Sequence, residues 1–359
     1  MSDLFAKLRL IRSANIGPVS YRQLIARFGS AEAALQALPD LAGRSGGRFV
    51  AAPEAAIERE LEQTQNFGAR HIFLDNAEYP PLLAEIDNGP AAIMVKGRLE
   101  LALQPLVAMV GARNASAAAC RFASDLALQL GDAGIVVVSG LARGIDTAAH
   151  RGSLGSGTIG VIAGGIDIAY PPENAGLQQA VAEQGLLVAE MPFGTEPRAR
   201  HFPHRNRIIA GLALGTVVVE AVPKSGSLIT ARLAGEYGRE VMAVPGSPLD
   251  PRARGCNQLI REGATLVQDA GEIAELIRPM DLRMPARSTA VHTHNAELAE
   301  AGDPERKAVK DLLGMSFVAV DEIVRQSGLP SPLVQSVLLE YELAGKLERG
   351  AGARVRLTA

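Results

Sequence analysis

Apolar runs alternate with helical segments through the middle of the chain, from residue 106 onward. The intervening segments repeat their apolar residues at three- and four-residue spacing, which is typical of amphipathic helices. The runs are short and nearly continuous in Val, Ile and Ala, as in strands buried on both faces of a sheet. They lie at 106–110, 135–138, 159–163, 186–189, 216–222, 241–244 and 264–267. We therefore predict an α/β fold with a Rossmann-like, doubly wound and mostly parallel sheet.

The two ends of the chain have different patterns. Residues 1–66 show helical periodicity, and short strands are predicted at 71–74 and 92–95. Near the C-terminus, three helical patterns precede an extended segment, which is the order of a winged helix. The predicted parts are an N-terminal helical domain, an α/β domain, a polar Pro-containing linker and a winged-helix-like domain, at 1–66, 67–278, 279–304 and 305–359.

Both terminal domains contain an element that binds DNA in other proteins. The turn Ile16-Gly17-Pro18-Val19 resembles a helix-hairpin-helix turn, which can offer backbone N–H groups to a phosphate, although a plain helical hairpin ending at glycine has the same pattern. The third helix of a DNA-binding winged helix enters the major groove. Here the helix predicted at 331–344 has no Lys or Arg and carries two glutamates, so its charge favours a protein contact over duplex binding.

Composition limits the functions that fit the chain. The 359 residues are 47% hydrophobic with a formal net charge of −3, so any polyanion site must be a local patch. Aromatic residues make up 4% and Trp is absent, which argues against a broad base-stacking surface. The two cysteines, Cys120 and Cys256, are too far apart in sequence to indicate a disulfide framework. Neither a signal peptide nor an apolar stretch of membrane-spanning length is apparent, so we expect a cytoplasmic protein.

Two strand-end loops carry residues suited to anion binding. Gly111 and Arg113 follow the first run, and Ser139, Gly140 and Arg143 follow the second. Ligands of doubly wound sheets bind where the carboxyl ends of the strands meet, so these loops are expected to converge. Asp146 and His150 lie four residues apart on the next helix. They are interpreted either as an acid–base pair or as a helix cap with a packed histidine.

The stretch at 200–230 contains the densest candidate site. Arg200, Arg205, Asn206 and Arg207 surround one aromatic residue, Phe202. An apolar run follows, and after it a turn of small residues leads into a helix, an arrangement that holds phosphate through backbone N–H groups and the helix dipole. The turn comprises Lys224, Ser225, Gly226 and Ser227. We predict that this stretch grips a polyanion, with the alternative that Arg205 and Arg207 anchor the loop through carboxylates such as Glu220.

Cofactor and metal sites are not predicted. The first strand does not run into the Gly-x-Gly-x-x-Gly of dinucleotide enzymes, and no P-loop motif is present. His201 and His204 lack a third ligand nearby in sequence.

Long ordered motifs of this chain closely resemble the DNA-processing protein A family (DprA, also called Smf). They lie at 139–150, 164–174, 202–212, 225–231 and 245–260. The resemblance implies a non-enzymatic protein that binds and protects incoming single-stranded DNA during natural transformation, loads the recombinase RecA, and forms a homodimer through the Rossmann-like domain. Matching positions implicate the loop and turn residues named above in DNA binding. Ala112, where members usually carry Ser, and 114–119 depart from the family pattern.

Two other functions remain as alternatives. Rossmann-like hydrolases of nucleoside monophosphates share this layout, but they carry a glutamate soon after the phosphate loop, and here none occurs before Glu236. A duplex-binding regulator would act through the winged helix, and its binding would then depend on residues 279–359.

Overall fold

The computed structural model describes residues 2–281, 301–350 and 352–358, which form two compact units. One unit extends from Glu60 to residue 281. The other combines the N-terminal residues up to Arg59 with the described residues from 301 onward. The predicted linker at 279–304 falls mainly on residues outside these ranges, and the helix before it continues to Asp281.

The described helices and strands follow the predicted order. The helices are α1 (Asp3–Arg12), α2 (Pro18–Phe28), α3 (Ala31–Arg44), α4 (Glu54–Asn66), α5 (Pro81–Glu85), α6 (Ala117–Asp132), α7 (Ile145–Ser153), α8 (Ala175–Gln184), α9 (His201–Leu212), α10 (Gly226–Glu236), α11 (Arg254–Arg261), α12 (Ala270–Asp281), α13 (Asp303–Asp311), α14 (Val320–Ser327) and α15 (Ser331–Leu343). The strands are β1 (Arg70–Phe73), β2 (Ala92–Gly97), β3 (Leu106–Val110), β4 (Val136–Ser139), β5 (Thr158–Ile162), β6 (Leu186–Ala189), β7 (Gly215–Val218), β8 (Glu240–Ala243), β9 (Thr265–Leu266), β10 (Val318–Ala319), β11 (Leu347–Gly350) and β12 (Arg354–Leu357).

Within the described residues, the α/β unit is built on a nine-stranded sheet in the order β1-β2-β6-β5-β4-β3-β7-β8-β9. The pairings from β6 to β9 are parallel, whereas β1 and β2 add an antiparallel edge. The chain proceeds from β3 outward to β6 and then returns to place β7 on the other side of β3. The strand order therefore reverses at β3 and β7, and a crevice at such a switch point is where doubly wound folds bind ligands.

Both faces of the sheet are covered, as the unbroken apolar runs predict. All five residues of β3 are buried, and successive residues point to opposite faces. Leu106, Ala108 and Val110 join one apolar cluster, and Val107 and Met109 join another. These two clusters form the core on either side of the sheet.

One predicted strand is longer than the structure has it. The apolar run at 216–222 contributes only its first residues to β7, which ends at Val218. Val219 N–H still donates to the Val110 carbonyl at 3.1 Å, but Ala221 N–H donates to the Arg252 carbonyl at 2.9 Å. Val219, Glu220 and Ala221 are still buried next to the loop before α11, whereas Val222 is 41% exposed and lines a cleft. Burial outside the sheet therefore extends the apolar signal beyond the strand.

The second unit contains the N-terminal helices and the winged helix. Strands β10, β12 and β11 form a three-stranded antiparallel sheet beside α13, α14 and α15. Val309, Ile323, Val334 and Val337 belong to the buried core of the winged helix. Among the described helices, none has the length and apolar character needed to cross a membrane.

Candidate functional site

An open cleft of about 850 Å³ lies at the carboxyl ends of β3 and β7, at the switch point of the sheet. A narrow recess of about 40 Å³ adjoins it beside the ends of β4 and β5. The predicted site residues that line the cleft or the recess are Gly111, Arg113, Gly140, Arg143, Phe202, Arg205, Asn206, Ser225, Gly226 and Ser227. The strand-end loops therefore converge as expected.

Helix α9 presents one face to the cleft. Phe202, Arg205, Asn206 and Ile209 line it, at the spacing of one helical face. Arg207 is two residues beyond Arg205 and points elsewhere. Its guanidinium is buried, paired with Glu190, and hydrogen-bonded to the Asn88 carbonyl.

Phe202 stands among cations and a second aromatic ring. The ring centroids of Phe202 and Tyr170 are 5.7 Å apart, with the planes tilted by 58°. The guanidinium carbons of Arg113 and Arg205 lie 5.1 and 5.9 Å from the Phe202 centroid, within cation–π range. Tyr170 is 45% exposed and borders both the cleft and the recess. This arrangement offers stacking surface and positive charge at one place.

Arg205 is a buried cation held by a buried carboxylate. Its Nη1 lies 3.9 Å from Asp146 Oδ2, and both side chains are less than a tenth exposed. Asp146 also accepts hydrogen bonds from the Gly140 and Ala142 amides, at 3.2 and 3.4 Å. Burial raises the pKa of Asp146, while the nearby Arg205 charge and these two amides oppose the rise. The result is a positively charged group fixed in the wall of the cleft.

The position of the Arg205 guanidinium leaves no room for a side chain at residue 140, which is glycine. A Cβ atom at this position would lie 1.2 Å from Arg205 Nη1, so any side chain would displace the guanidinium. The second strand-end loop therefore contributes space for the cation of α9 as well as a backbone amide for Asp146.

The small-residue turn forms the opposite rim. Ser225, at the N-cap of α10, and Ser227 share a hydrogen bond between their hydroxyl oxygens at 2.7 Å. Asn206 Nδ2 donates to the Gly226 carbonyl at 3.3 Å and so ties α9 to this turn. Lys224 is exposed in a left-handed backbone conformation with φ +65°. The first amides of α10 and its dipole thus border the cleft, which favours an anion there.

Glu220, the carboxylate named in the alternative interpretation of the arginines, has another role. Glu220 accepts hydrogen bonds from the Ser116 amide at 3.0 Å and the Ser116 hydroxyl at 2.7 Å. Ser116 in turn caps α6. Arg205 and Arg207 are paired with Asp146 and Glu190 instead, which the sequence pattern did not indicate.

Several predicted residues lie outside the lining in the described part of the chain. Ser139 is fully buried and its hydroxyl donates to the Met109 carbonyl at 2.6 Å, joining β4 to β3. Arg200 is exposed, with Nε 3.5 Å from His201 Nε2. Arg207 and Lys224 are likewise outside it. Conversely, Tyr170 and Arg252 line the cleft although the sequence analysis did not select them as site residues. The sequence offered a clue only for Tyr170, which follows the end of β5, where ligands of such sheets bind.

The Asp146–His150 pair has the geometry of packing and capping. His150 is fully buried, and its Nδ1 lies 2.9 Å from the Thr158 hydroxyl. Burial, aided by the Arg205 charge, lowers the pKa of His150 to about 3, so the ring is neutral at neutral pH. Because Asp146 is occupied by backbone amides and Arg205, the two side chains do not form an acid–base couple.

Comparison with known proteins identifies the family. The family model of DNA recombination-mediator protein A matches residues 70–278, more than half of the chain. The chain belongs to this family. Models of a DprA-like N-terminal HHH domain and a DprA winged helix domain match residues 1–62 and 293–353. The resemblance found in the sequence and the predicted fold class are therefore confirmed.

Individual DprA-family proteins match over long stretches. Protein Smf of Escherichia coli K12 is 36% identical over 318 residues, which cover 88% of this chain and 84% of that protein. DNA processing protein DprA of Streptococcus pneumoniae R6 is 42% identical over 228 residues, which cover 63% of this chain and 79% of that protein.

Two solved DprA structures share the fold. The X-ray structure of DprA from Streptococcus pneumoniae superposes with a TM-score of 0.64 at 35% identity and covers 77% of this chain and 98% of its own. A DprA structure from Helicobacter pylori, described for its single-stranded DNA binding mode, has a TM-score of 0.53 at 27% identity and covers 57% and 94%.

Proposed function

We propose that the cleft binds single-stranded DNA, with phosphates on its cations and amides and a base stacked at Phe202 and Tyr170. The observation that carries this proposal is the placement of two aromatic rings beside Arg113 and Arg205, facing the N-terminus of α10. Single-stranded nucleic acid is held in this way, by a cationic groove along the backbone and aromatic rings under the bases. The single-stranded DNA binding described for the Helicobacter pylori DprA supports it.

A flexible strand fits the cleft better than a free nucleotide. The cleft of about 850 Å³ is open, and cations occur at separate places around it: Arg113 after β3, Arg205 on α9 and Arg252 before α11. Arg143 adds another at the recess. Separate positive sites suit the successive phosphates of a chain. In this proposal the arginines of the cleft contact phosphates and not the edges of bases. We therefore expect little sequence preference.

The proposed role is binding and not catalysis. A hydrolase would need a carboxylate beside the 224–227 turn, and Glu236 lies at the far end of α10, roughly 15 Å along the helix. It is paired there with Arg232 at 3.6 Å. The carboxylate in the lining of the cleft, Asp146, is held by Arg205 and by the Gly140 and Ala142 amides. Release of free base from AMP at enzymatic rates would contradict this part of the proposal.

We expect binding to depend strongly on salt. Three to five phosphate contacts per subunit give a slope of log K against log salt of roughly −2 to −3.5 for a single strand. Fluorescence anisotropy with a labelled oligothymidine over a salt series measures the slope. A nearly flat salt dependence would show that phosphates are not the main contact.

Replacing Arg113 by Ala should remove one of these contacts. The slope is expected to become shallower by about 0.7, since one phosphate is no longer neutralised. Arg121→Ala is the matched control, because Arg121 is also exposed and follows the same strand, but lies on α6 outside the cleft lining. Equal slopes for both variants would show that Arg113 does not contact a phosphate of the bound strand.

We propose further that the bound strand is protected and handed to RecA, in a cytoplasmic homodimer joined through the α/β unit. Membership of the DNA recombination-mediator protein A family supports this role. Nuclease protection and RecA-dependent strand exchange on DNA coated with single-strand binding protein test it. We expect the wild type to speed RecA filament formation and Arg113→Ala to show a weaker effect in proportion to its lower DNA affinity. Stimulation that survives the loss of DNA binding would separate the two activities.

A further inference from the structure

The third helix of the winged helix, α15, is buried on more than one side. Val334, Val337, Leu338 and Tyr341 face the core of the winged helix itself. Ser336, Leu339 and Leu343 are also no more than 1% exposed, and they recur at the spacing of a second helical face. A helix that enters a DNA groove keeps such a face open. Here the second face is covered.

The N-terminal helical domain supplies the cover. Gln23 Nε2 on α2 donates to Gln335 Oε1 at 3.0 Å, and Arg27 Nη1 donates to the Ser336 hydroxyl at 3.2 Å. Helix α3 packs along α15 as well. The contact therefore involves two helices of the N-terminal domain and the face of α15 that duplex readers direct at bases.

The contact continues past the end of α15. Lys346 Nζ donates to the Ser45 and Gly46 carbonyls at 2.6 and 3.2 Å. A Cβ atom at Gly47 would lie 2.4 Å from Ala344 Cβ and 2.5 Å from its Cα, so the two backbones approach as closely as glycine permits. The segment that follows α3 thus packs directly against the C-terminal end of α15.

The polar groups on this face are already paired. Glu340 is 1% exposed and receives two hydrogen bonds from Arg306, at 2.7 and 3.1 Å. Glu342 pairs with Arg349 at 2.8 Å, and its Oε1 faces Gly17 in the hairpin turn. The Gly17 amide already donates to the Ser20 hydroxyl at 2.9 Å. The two carboxylates and the Gly17 amide thus all have partners within this unit, and the amide that a helix-hairpin-helix turn would offer to a phosphate is already used.

We propose that the winged-helix domain is a docking module for the N-terminal helical domain of the same chain. The helix that reads bases in DNA-binding winged helices serves here as a protein contact. The hairpin turn and α15 are each duplex-binding elements in other proteins, and here they pack against each other. This assignment gives the winged helix a partner, and it does not depend on how the cleft binds a single strand.

A wedge at Gly47 tests the docking in the full-length protein. In Gly47→Leu the new side chain collides with Ala344, whereas Gly43→Leu is the matched control because nothing lies within 4 Å of its Cβ position. In Gly47→Leu, but not in Gly43→Leu, we expect amide hydrogen exchange in α2 and α15 to become about tenfold faster or more, because loss of the contact lets these helices open locally. Mass spectrometry measures the exchange. Exchange equal to the control in both helices would overturn the proposal.

Two further measurements hold even if the wedge impairs folding. Gln23→Ala and Gln335→Ala should each lower the unfolding midpoint, and the double variant should lower it no further than one single change, because both remove one shared hydrogen bond. Fully additive losses would contradict docking at this point. Adding a short DNA duplex to the wild type should leave exchange in α15 unchanged, and slower exchange there would identify α15 as a DNA reader.

Discussion

Replacing Arg205 by Met should destabilise the α/β unit by about 3–5 kcal/mol, because a buried carboxylate is left without its counter-charge. Arg205 and Asp146 are buried side by side, and Asp146 would retain only the Gly140 and Ala142 amides. Urea unfolding monitored by circular dichroism measures the loss. Methionine retains an unbranched apolar chain of about the length of the aliphatic part of arginine, so the main change is the loss of the guanidinium group and its charge.

The loss should also depend on pH in a defined direction. The folded-state pKa of Asp146 is raised above its ordinary value of 3.8, and removing Arg205 raises it further. A raised carboxyl pKa means that the proton is bound more tightly in the folded state, so folding is favoured at low pH. The stability difference between variant and wild type should therefore grow as pH rises through the raised folded-state pKa of Asp146 in the wild type, and shrink on acidification below it.

The matched control for this variant is an exposed ion pair. Arg143→Met removes an arginine that is 64% exposed on its side chain and 3.7 Å from Glu173. Surface pairs of this kind contribute about 0–1 kcal/mol, so Arg143→Met should unfold close to wild type. If both variants unfolded alike at neutral pH, Arg205 would not be the buried partner of Asp146.

Replacing Phe202 by Ala is expected to weaken binding of an oligothymidine by about 1–3 kcal/mol, or roughly 5- to 150-fold, through loss of base stacking. The affinity should fall at every salt concentration while the slope of log K against log salt stays constant, because no cation is removed. Fluorescence anisotropy over the same salt series used for the wild type measures both quantities.

Phe193→Ala provides the comparison for Phe202. Phe193 is also half-buried in the α/β unit, but its ring packs edge-on against Phe67 at 5.7 Å and lies outside the cleft lining. We expect Phe193→Ala to lower thermal stability without weakening the DNA affinity. The opposite assignment, with Phe202→Ala losing stability and keeping its affinity, would make Phe202 a core residue.

Most of the fold could be predicted because strands buried on both faces leave an unmistakable apolar pattern. The run at 106–110 coincides with β3. The run at 216–222 extends beyond β7, because residues 219–221 are buried next to the loop before α11 and Val222 is an exposed apolar residue of the cleft. Apolar sequence reports burial, and hydrogen-bonding partners decide which buried residues form a strand.

The site could be predicted in position but less well in the role of each side chain. Gly111, Arg113 and the 225–227 turn follow strands whose carboxyl ends must meet, so topology alone brings them together. Arg205 and Arg207 look equivalent in sequence, yet one lines the cleft and the other is paired with Glu190 beneath it. Such differences depend on tertiary partners such as Asp146 and Glu190, which the local pattern does not specify.

Docking of the two chain ends has a consequence for synthesis. Gln23 pairs with Gln335, which lies 312 residues later in the chain. At translation rates of about 5–20 residues per second, the N-terminal helices wait roughly 15–60 s for the helix on which they pack. The α/β unit is complete well before that, since its last described residue is Asp281. Assembly on the ribosome would therefore begin with the middle of the chain and finish by joining its first helices to its last.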